Sequence, residues 1–216
     1  MRQYLVLLLL SLTASALGQT RKIYDLSDLM GKGELEAFNR KVSSGTENSE
    51  KIISLSEVPG DGVVWIKNEN FSNGTIELDI KGKDVLQQSF VGIAFHGLDE
   101  KTLEAVYFRP FNFRSTDSIR HMHAVQYVSH PLYTWDKLRQ EQNGKYEKAV
   151  NPAPDPNDWF HAKIVVHYPH ILVYVNGNEQ PSLSVDELSD RKTGKVGLWV
   201  GNNSGGSFTN YTIIRE

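Results

Sequence analysis

The sequence predicts an all-β chain of two packed antiparallel sheets, with one short inserted helix. From Lys51 onward, short apolar runs alternate with Gly, Asn, Asp and Pro, the texture of successive antiparallel strands. The chain of 216 residues holds about ten such runs, enough for two sheets face to face. It shows no repeat at the periods of propellers or solenoids, so residues 19–216 are assigned to one domain.

The first eighteen residues have the pattern of an export signal. Met1 and Arg2 give a positive start, Tyr4 to Leu10 an apolar run, and Ser11 to Gly18 a small-residue end. Cleavage is expected after Ala16 or after Gly18. The apolar run is shorter than the about 20 residues of a spanning helix, and no second run follows, so no membrane insertion is expected. A secreted or periplasmic location is expected. The chain has no cysteine, which excludes a lipidated-cysteine anchor and fits a bacterial exported protein better than an animal extracellular module. A chain this long can bury an adequate core without disulfides. Its formal charge of −3 becomes −4 once Arg2 is removed. With no basic stripe, nucleic acid is not an expected partner.

The elements follow in order. Leu26 to Asp28 and Glu34 to Asn39 each read as a turn of helix. Lys51 to Ser56 reads as a strand, Pro59 to Gly62 as a turn, Gly62 to Lys67 as a second strand, and Asn68 to Asn70 as another turn. Thr75 to Lys81 alternates cleanly, with Ile76, Leu78 and Ile80 on one face and Glu77, Asp79 and Lys81 on the other. Ser89 to His96, Leu103 to Arg109 and His121 to Val128 are the next strands. Thr134 is a plausible N-cap for the inserted helix, within Pro131 to Gln142. Asn151 to Asp158 is too rich in proline for a central strand and reads as a surface loop. Phe160 to His167, Ile171 to Asn176, Lys195 to Val200 and Phe208 to Ile214 complete the strands, with a hairpin turn at Asn176-Gly177.

Four of these pieces carry a resemblance. Trp159-Phe160-His161-Ala162-Lys163-Ile164-Val165-Val166, then Val173-Tyr174-Val175-Asn176-Gly177, then Gly197-Leu198-Trp199-Val200-Gly201 resemble the laminin-G and concanavalin A-like superfamily. Phe71-Ser72-Asn73-Gly74-Thr75-Ile76-Glu77-Leu78-Asp79-Ile80 is similar to another strand of that group. The resemblance runs from about Gly62 to the C-terminus and implies a concanavalin A-like jelly roll. It extends to the bacterial 3-keto-disaccharide hydrolase domain group, although Ser89-Phe90-Val91-Gly92-Ile93-Ala94-Phe95 stands where that group's Asn-Ser-Gly-Ile strand is expected. It implies no dedicated cofactor and admits a structural calcium ion.

The candidate site residues fall on three predicted strands and the inserted helix. Tyr107 and Arg109 share a strand face, and His96 ends the preceding strand. On a continuous strand, His121, His123 and Tyr127 point one way and Gln126 the other. If Met122, Ala124 and Val128 fill the core, the histidines and Tyr127 face a groove. Trp135 joins them from the helix. Planar donors, amides and aromatic faces together suit a sugar. His121-x-His123 has metal-ligand spacing, but no third ligand is apparent, so no metal is assigned.

Glu77 and Glu104 are the candidate acid/base carboxylates. Glu77-x-Asp79 matches the start of the laminarinase motif Glu-x-Asp-x-x-Glu, but Gly82 stands where the second Glu belongs. By strand parity Glu104 and Arg109 fall on opposite faces, which favours Glu77. The expected function is therefore a secreted carbohydrate-active protein, hydrolysing a glycoside or keto-glycoside in a groove on one sheet. The alternative is a non-catalytic, laminin-G-like module that binds a glycan or a protein.

Overall fold

The computed structural model describes residues 19–215. The expected signal segment lies outside them. Among the described residues, fifteen strands and four short helices follow one another. They are β1 Thr20–Tyr24, α1 Leu26–Gly31, β2 Leu35–Phe38, β3 Val42–Glu47, β4 Glu50–Leu55, β5 Gly62–Phe71 and β6 Gly74–Lys81. Next come β7 Val91–Gly97, β8 Glu104–Phe108, α2 Pro110–Phe113, α3 Ser118–His121, β9 Val125–Ser129, α4 Trp135–Glu141 and β10 Glu147–Lys148. The series ends with β11 Trp159–His167, β12 His170–Val175, β13 Leu183–Asp186, β14 Gly194–Val200 and β15 Gly206–Arg215.

The strands form two antiparallel sheets, as the fold class requires. An eight-stranded sheet runs β13-β12-β11-β6-β15-β4-β3, with β1 also paired to β15. A seven-stranded sheet runs β10-β9-β8-β7-β14-β5-β2. Their inner faces meet in one apolar core. Ile76, Leu78 and Ile80 are fully buried, while Glu77, Asp79 and Lys81 between them reach the outside. The ring of Phe108 meets that of Phe160 across the sheets at 5.0 Å, and Phe113 closes the group at 5.2 Å from Phe160. Edge-on ring pairs of this kind add to the area they bury.

Several expected elements are corrected. Glu34 to Asn39 is not helical: Leu35 to Phe38 adds an edge strand to β5, pairing Leu35 with Ile66 and Phe38 with Val63. Ladder bonding there outweighs the helix propensity of Leu-Glu-Ala. Asn68 to Asn70 is not a turn but part of β5, where Asn68 takes a positive φ of 59° and the register with β14 shifts. That is a bulge, which a pattern of Asn residues imitates. The His121 strand begins only at Val125. Ser118 to His121 is a short helix capped by Asp117, whose carboxylate accepts from the N–H groups of Ile119 and Arg120. The inserted helix forms as α4, with Thr134 at its N-cap position but without a side-chain capping bond. The hairpin at Asn176-Gly177 has φ of 51° and 70°, the conformation that this residue pair favours.

Candidate functional site

Cross-strand pairing builds the site on the outer face of the seven-stranded sheet. One register row runs Glu147, Gln126, Tyr107, Gly92, Trp199, Val63 and Phe38. Paired residues share a face, so these side chains stand together on the side away from Phe108 and the core. A Cβ at Gly92 would lie 2.1 Å from the Val106 carbonyl oxygen and 2.6 Å from the Tyr107 Cα, so only glycine fits. Over it the rings of Tyr107 and Trp199 approach to 4.9 Å.

A buried polar network grows from that row. The Arg109 guanidinium donates to the Tyr107 hydroxyl at 2.7 Å, to the Gln126 carbonyl, and to the His123 backbone carbonyl at 2.9 Å. The Tyr107 hydroxyl in turn donates to Gln126 at 2.7 Å. Arg109 also reaches the Glu147 carboxylate at 3.4 Å. Glu147 accepts two bonds from Arg139, at 2.9 and 2.7 Å, and lies 3.3 Å from the His123 ring. Tyr107, Arg109, Gln126 and Glu147 are each at most 4% exposed. Burial pushes the Tyr107 hydroxyl up to about 12, so it remains a donor at every physiological pH. The Nε2 group of Gln126 is buried without a hydrogen-bond partner, a free donor inside this network.

The network surfaces at α4. Arg139 lies 5.2 Å from the Trp135 ring centroid, and Trp135 is 50% exposed. An indole held by a guanidinium on one face and open to solvent elsewhere is a stacking surface. Asn112 braces the same corner by donating to the His123 carbonyl at 3.0 Å, and Arg120 reaches the Phe111 carbonyl at 3.1 Å.

A second rim belongs to Asp61, in the turn before β5. Arg40, 8% exposed, donates to four backbone carbonyls there: Asn39 at 2.5 Å, Gly60 and Gly201 at 2.8 Å, and Ser204 at 3.2 Å. It ties three loops together beneath Asp61. Desolvation raises the Asp61 carboxyl above the ordinary carboxylate range, opposed by the charges of His130 and Arg40. Asp61 is nevertheless accessible to water. His130 is held below its ordinary range by burial, opposed by Asp61 and Asp136.

The expected residues therefore separate. Tyr107, Arg109, Gln126, His123 and Trp135 come together. His121 sits at the end of α3, and its Nδ1 is buried without a hydrogen-bond partner. Tyr127 is inverted relative to expectation. It points into the core, donating to Glu104 and accepting from the Leu188 N–H at 3.0 Å. Ala124, Gln126 and Val128 take the outer face instead. His96 is fully buried: Nε2 meets the Ser72 carbonyl at 2.8 Å, Nδ1 lies 3.1 Å from Glu187, and the ring stacks on Phe71. It is therefore no groove residue. Glu104 is also fully buried, held by Tyr127, Ser189, Ser129 and Arg191, which consumes its acceptors and denies it a substrate. Glu77 lies on the outer face of the other sheet, on the opposite side of the sandwich from Arg109. Glu147, Arg139 and Asp61 escaped the sequence reading. Glu147 occupies a two-residue strand with no pattern to detect, and Asp61 sits within a turn signal.

Among the described residues no cluster of three or more His, Cys, Asp or Glu is arranged to hold a metal ion, and no helix is long and apolar enough to cross a membrane.

Comparison with known proteins fits this geometry. Residues 25–214 match the family model described as the 3-keto-alpha-glucoside-1,2-lyase-like domain, and the chain belongs to that family. No curated protein sequence matches it. Among solved structures it is similar to the carbohydrate-binding module CBM66 from Bacillus subtilis, with a TM-score of 0.56 and 16% identity, covering 83% of this chain and 95% of that one. A native glycosidic hydrolase superposes with a TM-score of 0.54 at 13% identity, covering 91% and 95%. The lumenal domain of VIP36, bound to Ca2+ and Man3GlcNAc, gives 0.52 at 8% identity, covering 84% and 83%. These likenesses establish the shared jelly-roll fold.

Proposed function

We propose that this member of the 3-keto-alpha-glucoside-1,2-lyase-like family binds a saccharide on the outer face of its seven-stranded sheet, and that it does so as an exported protein. The observation that carries this reading is the continuity of the site. A buried frame of Tyr107, Arg109, Gln126 and Glu147 ends, through Arg139, in the half-exposed indole of Trp135. Sugars present C–H patches to an aromatic face and hydroxyls to planar donors and amides. The Trp135 face offers the first, and the partly exposed Arg139 guanidinium beside it offers the second. That one solved relative by fold is a carbohydrate-binding module supports the same reading.

A second reading, turnover of a bound glycoside, is favoured by Asp61 alone. A water-accessible carboxyl raised by desolvation is suited to holding a proton for a leaving group. Glu104 and Glu77 are not placed for that work in this groove. A structural calcium ion, of the kind bound by VIP36, is compatible with this fold but is not needed by the site.

Affinity electrophoresis through gels containing starch, xylan, levan or mixed-linkage β-glucan tests the binding reading. Retardation by at least one polysaccharide, abolished by Trp135→Ala, is expected. Equal mobility of Trp135→Ala and wild type in every retarding gel would refute it. Release of a defined product that Asp61→Asn abolishes would add the catalytic reading.

A further inference from the structure

The outer face of the eight-stranded sheet carries a second constructed site, which the first does not use. Its floor is the register row Glu77, Lys163 and Tyr174, with Asp79 and His161 paired one step along. The turn after β12 closes it with Asn178 and Glu179, and the resulting pocket has a volume of about 560 Å³. Small-ligand pockets run from about 300 to 1,000 Å³.

The histidine there is held in a defined orientation. His161 Nδ1 lies 2.7 Å from one Asp79 oxygen, and Asn210 donates to the other oxygen at 2.7 Å. Both Asp79 oxygens are thereby engaged, and the carboxylate fixes the ring with Nδ1–H towards it and Nε2 away. Asn210 reaches Asp79 because β15 bulges between Thr209 and Thr212, where Asn210 adopts a φ of 54°. Bulges that re-aim a side chain are found beside functional sites. The His161 backbone N–H is fixed as well, donating to Asn176 at 2.8 Å. A merely solvated sheet face does not require this three-residue relay.

The wall chemistry selects the ligand. Glu77, which lies 3.7 Å from the Arg21 guanidinium, and Glu179 accept, Lys163 donates, and His161 and Asn178 can do either. Lys163 also lies 5.5 Å from the Tyr174 ring centroid. A phosphate would meet two carboxylates and a divalent cation would meet an ammonium, whereas each hydroxyl of a polyol both donates and accepts. We propose that this pocket is a second saccharide site, back to back with the Trp135 site and independent of it. Two sites on opposite faces would let one domain bridge two polysaccharide chains.

Backbone amide NMR of the Trp135→Ala variant tests this directly, because the first site is then disabled. The probes are maltotriose, cellotriose and xylotriose, each titrated into the ¹⁵N-labelled full chain. The expected result with at least one probe is saturable shifts confined to β6, β11, β12 and residues 176–179, with a Kd of about millimolar order. His161→Gln and Asn210→Ala should each weaken that binding about tenfold while amide dispersion is kept. No shift on these strands with any of the three probes overturns the proposal, as does unchanged affinity in both variants. Failure of the Trp135 reading shows separately, as identical titrations of wild type and Trp135→Ala at residues 105–109 and 124–139.

Discussion

Replacing Glu147 with Gln should destabilise the protein far more than its place on a two-residue strand suggests. The carboxylate is 2% exposed and answers Arg139 through two bonds, Arg109 at 3.4 Å and His123 at 3.3 Å. The amide has the same shape but turns N–H groups toward guanidinium donors. Arg109, 4% exposed, is left with neutral partners only: Tyr107, Gln126 and the His123 carbonyl. Breaking a buried ion pair from one side costs about 3–5 kcal/mol. Arg139 is about one-third exposed and can rehydrate, which places the expected loss near the lower end, about 3 kcal/mol. In a chain of this size that lowers Tm by about 6–12 °C. Urea unfolding with an unchanged m-value is the assay, and Arg109→Met in the Glu147→Gln background should recover part of the loss. A Glu147→Gln protein within about 0.5 kcal/mol of wild type would refute the claim that this carboxylate neutralises the buried guanidinium.

Other expectations follow from the same placements. Glu104→Gln should cost about 3 kcal/mol in urea unfolding yet leave saccharide binding intact, because Glu104 lies inside the core with Arg191 and Tyr127. Gly97→Ala places a Cβ 2.4 Å from the Trp65 ring and should cost about 1–3 kcal/mol, read as a lowered Tm. His123 and His130 are both held below the ordinary histidine range by burial. Their unfolded forms take up protons first, so they remove stability as pH falls below about 6.5. His130→Gln should therefore flatten the rise in urea midpoint between acidic and neutral pH. His161 runs the other way, because its bond to Asp79 raises it and its contribution fades as pH rises through the folded value. Asp79→Asn should lower the His161 NMR titration, because burial and Lys163, which oppose the Asp79 bond, then act without it.

The sequence was most informative where periodicity and turn chemistry agree. Ile76, Leu78 and Ile80 alternate with Glu77 and Asp79, and the structure buries the first set completely. Asn176-Gly177 specifies its turn through positive φ alone. Parity along β8 correctly set Glu104 and Arg109 on opposite faces. It failed at His121 because the strand begins four residues later, after a helical turn capped by Asp117. Once that start is misplaced, faces are assigned by composition, and tyrosine and glutamine are exchanged. Tyr127 belongs inside because Glu104 and the Leu188 N–H satisfy its hydroxyl, while Gln126 belongs outside because Arg109 needs its carbonyl. Neither partner is near in sequence. The edge strands β2, β3 and β10 were invisible for a related reason: their residues are largely exposed or few, so their pairing leaves no apolar pattern.

The most direct test of saccharide binding at the Trp135 rim is the indole NMR spectrum of the ¹⁵N-labelled protein, titrated with whichever polysaccharide fragment retards it in gels. The chain has four tryptophans, and a Trp135→Phe spectrum identifies the resonance of interest. The account predicts a saturable shift of the Trp135 indole, with the same midpoint as amide shifts at Gln126 and Arg139. A Trp135 indole unmoved at saturation, while the ligand shifts signals elsewhere, would contradict it.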